Sequence, residues 1–451
     1  MEQISMLKTK MDVPLFIMQP DIIGRKLQKF LFQMEQISML KTKMKRPLFI
    51  VQPENNSKET AEILISNGAD LNAKDKDGGT PLHCAANNNS KETAEILISN
   101  GADINAKDED GCTPLHYAAR YNRKETAEIL ISNGADLNAK DKDEATPLHY
   151  AARDNSKETA EILISNGADI NAKDEDEATP LHCAARDNSK ETAEILISNG
   201  ADLNAKDKDE ATPLHCAANN NSKETAEILI SNGADINAKD EDGCTPLHYA
   251  ARYNRKETAE ILISNGADLN AKDKDEATPL HYAARDNSKE TAEILISNGA
   301  DINAKDEDEA TPLHCAARDN SKETAEIFIS NGVDLNAKGK DEATPLHCAA
   351  NNNSKETAEI LISNGADINA KDEDGCTPLH YAARYNRKET AEILISNGAD
   401  INAKDKDEAT PLHWAARDNS KETAEILISN GADINAKNKK WSDPSSLCSQ
   451  R

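Results

Sequence analysis

One feature constrains what this chain can fold into more than any other. The tetrapeptide Thr-Pro-Leu-His occurs eleven times at intervals of 33 residues, starting at Thr80, Thr113, Thr146, Thr179, Thr212, Thr245, Thr278, Thr311, Thr344, Thr377 and Thr410. All 11 histidines of the chain lie in these motifs. One full unit runs from Asp75 to Lys107, and eleven units fill residues 75–437. A second period is nested in the first, because the units starting at Asp108 and Asp240 are identical, as are those starting at Asp141 and Asp273. A period of this length marks repeats that each form one supersecondary element and bury a core only by stacking on neighbours.

The chemistry of one unit predicts two helices. Thr80 is a good N-cap, and Pro81 fits the first helical turn, where its missing N–H costs nothing. Leu82, Ala85 and Ala86 then give a short helix one small, flat apolar face. Asn89 suits the left-handed conformation that ends it, and Ser90 is placed to cap a second helix. That second helix carries Ala94, Ile96, Leu97 and Ile98, exposes Lys91, Glu92 and Glu95, and stops at Gly101. The following Ala-Asp-Ile-Asn-Ala-Lys-Asp stretch from Ala102 is rich in turn formers. So few large aliphatics cannot offset the ordering of a whole unit, which makes stacking obligatory.

The units resemble ankyrin repeats, with Asp, Gly, Thr-Pro-Leu-His, Ala-Ala and Gly-Ala-Asp in the family's order, over about four-fifths of the chain. The resemblance implies an all-α fold, an ankyrin-repeat solenoid of stacked helix-loop-helix units joined by hairpin-like loops. It also implies that the motif histidines are structural and link neighbouring units by hydrogen bonds. Three positions depart from the family: Asn89 replaces its Gly, Ser90 its His and Lys91 its Leu. Before most Thr-Pro motifs Glu-Ala replaces the Gly-containing pair, as at Glu144 and Ala145, which predicts a less tightly turned tip there.

The ends do not follow the pattern. Residues 1–54 read as a non-repeat leader, 55–74 as a partial repeat with only the second helix, and 438–451 as a non-repeat tail. Met1 to Pro20 and Met34 to Pro53 are nearly the same string, and back-translated repeat codons read one base later reproduce them. The other shifted frame reproduces Trp441 to Arg451, so both ends read as frameshifted repeat sequence. On this reading residues 1–54 should not pack as repeats. The exposed surfaces of Ile426, Leu427 and Ile428 in the last unit predict fraying or self-association at uncapped ends.

Composition narrows the function. The formal net charge is -27 and the mean hydropathy is -0.71. Such a charge repels phosphate backbones and anionic headgroups, so nucleic acid is not an expected partner. No apolar run approaches the ~20 residues of a membrane helix, and Pro14 to Met18 is too short for a signal peptide. The 9 cysteines form no CxxC pair and read as reduced thiols, so the expected compartment is the cytoplasm or nucleus.

No constellation points to catalysis, a cofactor or a metal. The histidines have no second ligand one helical turn away, and the cysteines recur too far apart to cluster. Asp103 to Gly111 has the acidic look of a calcium loop, but Lys107 takes a ligand position and the Gly is displaced. Asn88-Asn89-Ser90 has the spacing of a glycosylation sequon without a secretory context.

What varies between units is more informative. Differences fall at the equivalents of Lys76, Gly78, Gly79, Cys84, Asn87, Asn88 and Ser90. By the resemblance, tip and first-helix positions line a concave binding groove. Three units bring Tyr and Arg together there: Tyr117, Arg120, Tyr121 and Arg123; Tyr249, Arg252, Tyr253 and Arg255; Tyr381, Arg384, Tyr385 and Arg387. Tyr and Arg are favoured anchors at protein interfaces. The expected function is therefore a non-enzymatic, intracellular scaffold for other proteins, basic overall because the tips are acidic. Two alternatives stand beside it: the product of a pseudogene or misassembled gene fragment, and an elastic or spacer element.

Overall fold

The computed structural model describes residues 58–439 with Asp443 and Pro444. The leader 1–54 and most of the tail lie outside the described residues, as does the expectation that the leader does not pack as repeats. Among the described residues there are 23 helices, from α1 (Lys58–Ser66) to α23 (Lys421–Ser429), and no strand. From α2 (Pro81–Asn87) and α3 (Lys91–Ser99) onward they alternate between a short first helix and a longer second helix in each repeat. The described residues form two compact units, one of residues 58–118 and 123–136, the other of 119–122 and 137–444. Inside each unit second helices pack on second helices of adjacent repeats, and in the larger unit first helices pack on first helices.

Each first helix begins at its Thr-Pro-Leu-His motif. Thr80 is extended at φ -96° and ψ 167°, Pro81 opens the helix, and the ring of His83 closes a capping box with Thr80. The helix ends where Asn89 turns left-handed at φ 54°, a conformation a short amide side chain tolerates. Asn122, Asn155 and Asn188 do the same at φ 53°. Every second helix reads Lys-Glu-Thr-Ala-Glu-Ile-Leu-Ile-Ser, except that Phe328 replaces Leu in one. It ends at a left-handed glycine, as at Gly101 with φ 91°, where the Ala102 N–H donates to the Leu97 carbonyl at 3.0 Å.

The core is made of few atoms per repeat. Leu148, Ala151, Ala152, Ala160 and Leu163 are fully buried, as are their equivalents in the other internal repeats of the larger unit. Ile162 and Ile164 stay half-buried, so the second helix contributes mainly its Ala and Leu. In the last repeat Leu427 is buried, Ile426 is half-buried and Ile428 is 51% exposed, so of the three residues expected to open apolar surface at this end only the isoleucines do, and Ile434 adds to it at 51%.

Two local expectations are corrected. The Ser before the second helix does not cap it: Ser156 Oγ donates to the Arg120 carbonyl of the preceding repeat at 3.0 Å, and Ser189 Oγ to the Arg153 carbonyl at 3.1 Å. The tips with Glu are no looser than those with Gly. Glu177 adopts φ 58° and donates its N–H to the Asp174 carbonyl at 3.0 Å, the same distance as Gly243 to Asp240. The aspartate that opens the turn holds it in both cases: Asp174 Oδ1 accepts from the N–H groups of Asp176 and Ala178, as Asp240 Oδ1 does from Asp242 and Cys244.

Candidate functional site

The polar residues of the repeat are largely used to join one repeat to the next. In the larger unit His149 Nδ1 accepts the Thr146 N–H at 3.1 Å. That fixes the hydrogen on Nε2, which donates to the Ala178 carbonyl of the next repeat at 3.0 Å. Burial holds His182, His248, His314 and His380 down at about 4, so the rings are neutral. The link between neighbours that the resemblance implied is therefore present.

Other joints run in parallel. Left-handed Asn122 accepts at Oδ1 from the N–H and Oγ1 of buried Thr159, 3.1 Å each, and its Nδ2 donates to Glu158. This glutamate is the equivalent of Glu92, so that position is exposed yet engaged with the preceding repeat. Tips are linked by one backbone bond each, such as the Lys208 N–H to the Asp176 carbonyl at 2.8 Å. Loops are tied by asparagine, as where the Asp202 N–H donates to Asn171 Oδ1 at 2.9 Å.

Against this scaffold the twelve Tyr and Arg residues divide into two sets. Tyr117, Tyr249 and Tyr381 are half-buried, and their hydroxyls donate to Asp108, Asp240 and Asp372 at 2.7, 2.7 and 2.8 Å. Their rings stand edge-on to His83, His215 and His347 of the preceding repeat. Arg123, Arg255 and Arg387 take the place of the Ser before the second helix. Their Nε atoms donate to the carbonyls of Asn87, Asn219 and Asn351 at 2.8, 2.7 and 2.8 Å. These six residues build the array.

The other six face outward. Tyr121, Tyr253 and Tyr385 are 42%, 42% and 41% exposed, the most exposed aromatics among the described residues. Arg120, Arg252 and Arg384 lie over them at 5.4, 5.4 and 5.0 Å from the ring centroid. Arg255 and Arg387 also approach Tyr253 and Tyr385, at 5.9 Å each. The arginines pair loosely with Asp154, Asp286 and Asp418 at 3.8 to 3.9 Å. The result is an exposed aromatic ring framed by guanidinium groups.

One further position escaped the sequence reading. Trp414 stands where Tyr282 stands four repeats earlier, donates from Nε1 to Asp405 at 2.9 Å, and lies 4.4 Å from Arg417 and 5.2 Å from Arg384. The available signal was that it is one of 2 tryptophans in the chain, at a position otherwise held by Tyr or Cys.

No group of three or more His, Cys, Asp or Glu among the described residues is placed to hold a metal ion. Burial pushes the Cys216 and Cys348 thiols up to about 12, far from a reactive thiolate at neutral pH. No helix among the described residues is long and apolar enough to cross a membrane.

The family model for ankyrin repeats, described as three copies, matches the chain in six successive placements, at residues 48–141, 139–207, 200–273, 271–339, 329–405 and 370–438. The chain belongs to the ankyrin repeat family. Ankyrin repeats generally mediate protein–protein interaction and are generally non-catalytic. No curated protein matches this ankyrin repeat chain in sequence.

Proposed function

We propose that this ankyrin repeat protein is a non-catalytic scaffold that binds other proteins through its first helices and tips, with partners that are basic overall. The observation that carries this reading is the exposed tyrosine framed by arginine at Tyr121, Tyr253 and Tyr385, on a surface whose polar groups otherwise serve the stack. Rigid aromatic rings with arginine neighbours are the side chains that most often anchor interfaces. The acidic tips, as in Asp174-Glu175-Asp176-Glu177, supply a rim whose charge sets encounter rate more than residence time. The compartment that suits this reading is the cytoplasm or nucleus.

The test immobilises the full chain and asks which proteins of a lysate bind it saturably. The expected proteins are basic, associate more slowly as salt rises from low to physiological strength, and dissociate faster from a Tyr121→Ala, Tyr253→Ala, Tyr385→Ala triple variant. Failure to enrich any protein saturably would sink the scaffold reading and favour a spacer role.

A further inference from the structure

The three Tyr–Arg stations are not equivalent. At the last one the rings and guanidinium groups interleave into a continuous ladder. Arg387 lies 5.9 Å from the Tyr385 ring, Arg384 5.0 Å from the same ring and 5.2 Å from that of Trp414, and Arg417 4.4 Å from Trp414 on the next repeat. At the middle station the run breaks. Arg252 and Arg255 frame Tyr253, and Arg285 frames Tyr282 at 5.4 Å, but the two pairs are not bridged as Arg384 bridges Tyr385 and Trp414. The difference follows from the larger indole of Trp414, which reaches both Arg384 and Arg417.

Three arginines at the ladder, Arg384, Arg387 and Arg417, outnumber its two carboxylates, Asp418 and the Asp405 that accepts the Trp414 indole N–H at 2.9 Å, on a chain of net charge -27. Arg384 and Arg417 share one carboxylate, Asp418, at 3.9 and 3.0 Å, and no other acid lies within ion-pair distance of either among the described residues. Arg387 has no carboxylate that close among the described residues; its Nε bonds the Asn351 carbonyl. Guanidinium groups held over ring faces by cation–π attraction are partly ordered before a ligand arrives, and Arg417 is further fixed by donating from Nε and a terminal N–H to Asp418 at 3.2 and 3.0 Å.

We propose that the Tyr385–Arg384–Trp414–Arg417 ladder binds a carboxylate-rich peptide segment of a partner protein. This rests on the protein-binding reading and sharpens it: the partner is basic where it meets the tips and carries an acidic stretch that seats here. A peptide can place a few carboxylates on the ladder and neutral or basic residues beside it. A nucleic acid carries negative charge along its whole length and is repelled by the tips within about a Debye length, ~8 Å at physiological salt.

The experiment titrates a labelled peptide bearing a short run of glutamates, and its glutamine counterpart, into the full chain. Trp441→Phe leaves Trp414 the only tryptophan, so its fluorescence reports binding at the ladder itself. The glutamate peptide is expected to bind and to change that fluorescence, and the glutamine peptide is not. Arg384→Gln with Arg417→Gln should weaken binding by about tenfold or more, as expected for lost charge-assisted hydrogen bonds. Both arginines are about half exposed, so unchanged helicity and melting serve as the folding control. A gain-of-function arm uses Tyr282→Trp, which recreates the Trp414 setting beside Arg252 and Arg285 with Asp273 as the indole acceptor. Two peptides should then bind where one did.

Equal binding of the two peptides, wild-type affinity in the folded double variant, or a folded Tyr282→Trp chain with unchanged capacity would each overturn the proposal. An oligothymidylate that binds as tightly with the same arginine dependence would overturn the peptide assignment. The short acidic probe reads only the ladder, so its failure leaves lysate enrichment through the tips unaffected. Loss of that enrichment with peptide binding intact would instead strike the broader reading.

Discussion

At the scale of the residue, one amino-acid type does two different jobs within four positions. Tyr249 donates its hydroxyl to Asp240, a carboxylate that is itself buried, while Tyr253 is 42% exposed beneath two arginines. Burial and that carboxylate push the Tyr249 phenol well above its ordinary range, so it remains a donor at every physiological pH. Tyr249→Phe is expected to cost about 1–2 kcal/mol, because it removes a charge-assisted bond and leaves Asp240 one donor short. Truncating Tyr117, Tyr249 and Tyr381 to Ala should lower the melting temperature without changing dissociation of a bound partner at temperatures where the chain is folded. Tyr121→Ala, Tyr253→Ala and Tyr385→Ala should do the opposite, since exposed substitutions stay within about 0.5 kcal/mol. Melting and dissociation measured on both triples check the division. Faster dissociation from the first set at unchanged melting would refute it.

At the scale of the element, the tips show how a turn survives the loss of its glycine. Glu144, Glu177, Glu210, Glu276, Glu309, Glu342 and Glu408 all sit at φ between 54° and 59°, where a side chain costs roughly 1–2 kcal/mol. Part of that cost is offset locally, because Lys173 Nζ lies 2.9 Å from Glu177 Oε2 in an exposed, solvent-screened ion pair. Replacing Glu177 with Gly should therefore stabilise the chain by about 0.5–1 kcal/mol, seen as a raised urea midpoint with an unchanged slope. A lowered midpoint would mean that the ion pair outweighs the strain. The sequence already showed both helices of each repeat, the Thr cap of the first and the left-handed Asn89 and Gly101, because these depend on the chemistry of neighbouring residues. It did not show that Ser156 and Arg255 reach back to carbonyls of the preceding repeat, or that Glu158 takes Asn122. Those partners lie 36 residues away in sequence, and nothing local distinguishes a capping Ser from a bracing one. The candidate surface was half legible for the same reason. Tyr and Arg could be singled out as interface candidates by type, but only the stacked repeats reveal that Tyr249 and Arg255 face inward and Tyr253 and Arg252 outward.

At the scale of the whole molecule, repetition turns a small local preference into a shared liability. In the larger unit every described joint with a resolved His bond relies on a neutral ring that accepts at Nδ1 and donates at Nε2, as in His182, which bonds Thr179 and the Ala211 carbonyl. Protonation removes the acceptor, and burial opposes the charge. His83, His149, His182, His215, His248, His281, His314, His347 and His380 are all held below the ordinary value of 6.5 by that burial. Their folded-state values lie below the unfolded value, so the unfolded chain binds more protons in between. The stability they provide is complete above about pH 6.5 and is withdrawn as pH falls toward the folded value, about 4 for His182, His248, His314 and His380. At pH 5.5 each of those four would already have withdrawn about 1 kcal/mol, several kcal/mol together, against the 5–15 kcal/mol of an ordinary domain. Two effects oppose this. Lower pH relieves self-repulsion on the way to the isoelectric point near 4.8, and burial raises Asp187, Asp207 and Asp286, which favours their protonated forms in the fold. Above about pH 5.5 few carboxylates take up protons, so the histidines dominate that interval. The urea midpoint should therefore drop between pH 7.5 and 5.5, with most of the change below 6.5. Because repeat stability depends on nearest-neighbour joints, His248→Gln, which cannot be charged, should lower the midpoint at pH 7.5 while flattening its fall with pH. A midpoint constant from pH 7.5 to 5.5 in the parent chain would show that the joints tolerate a charged ring.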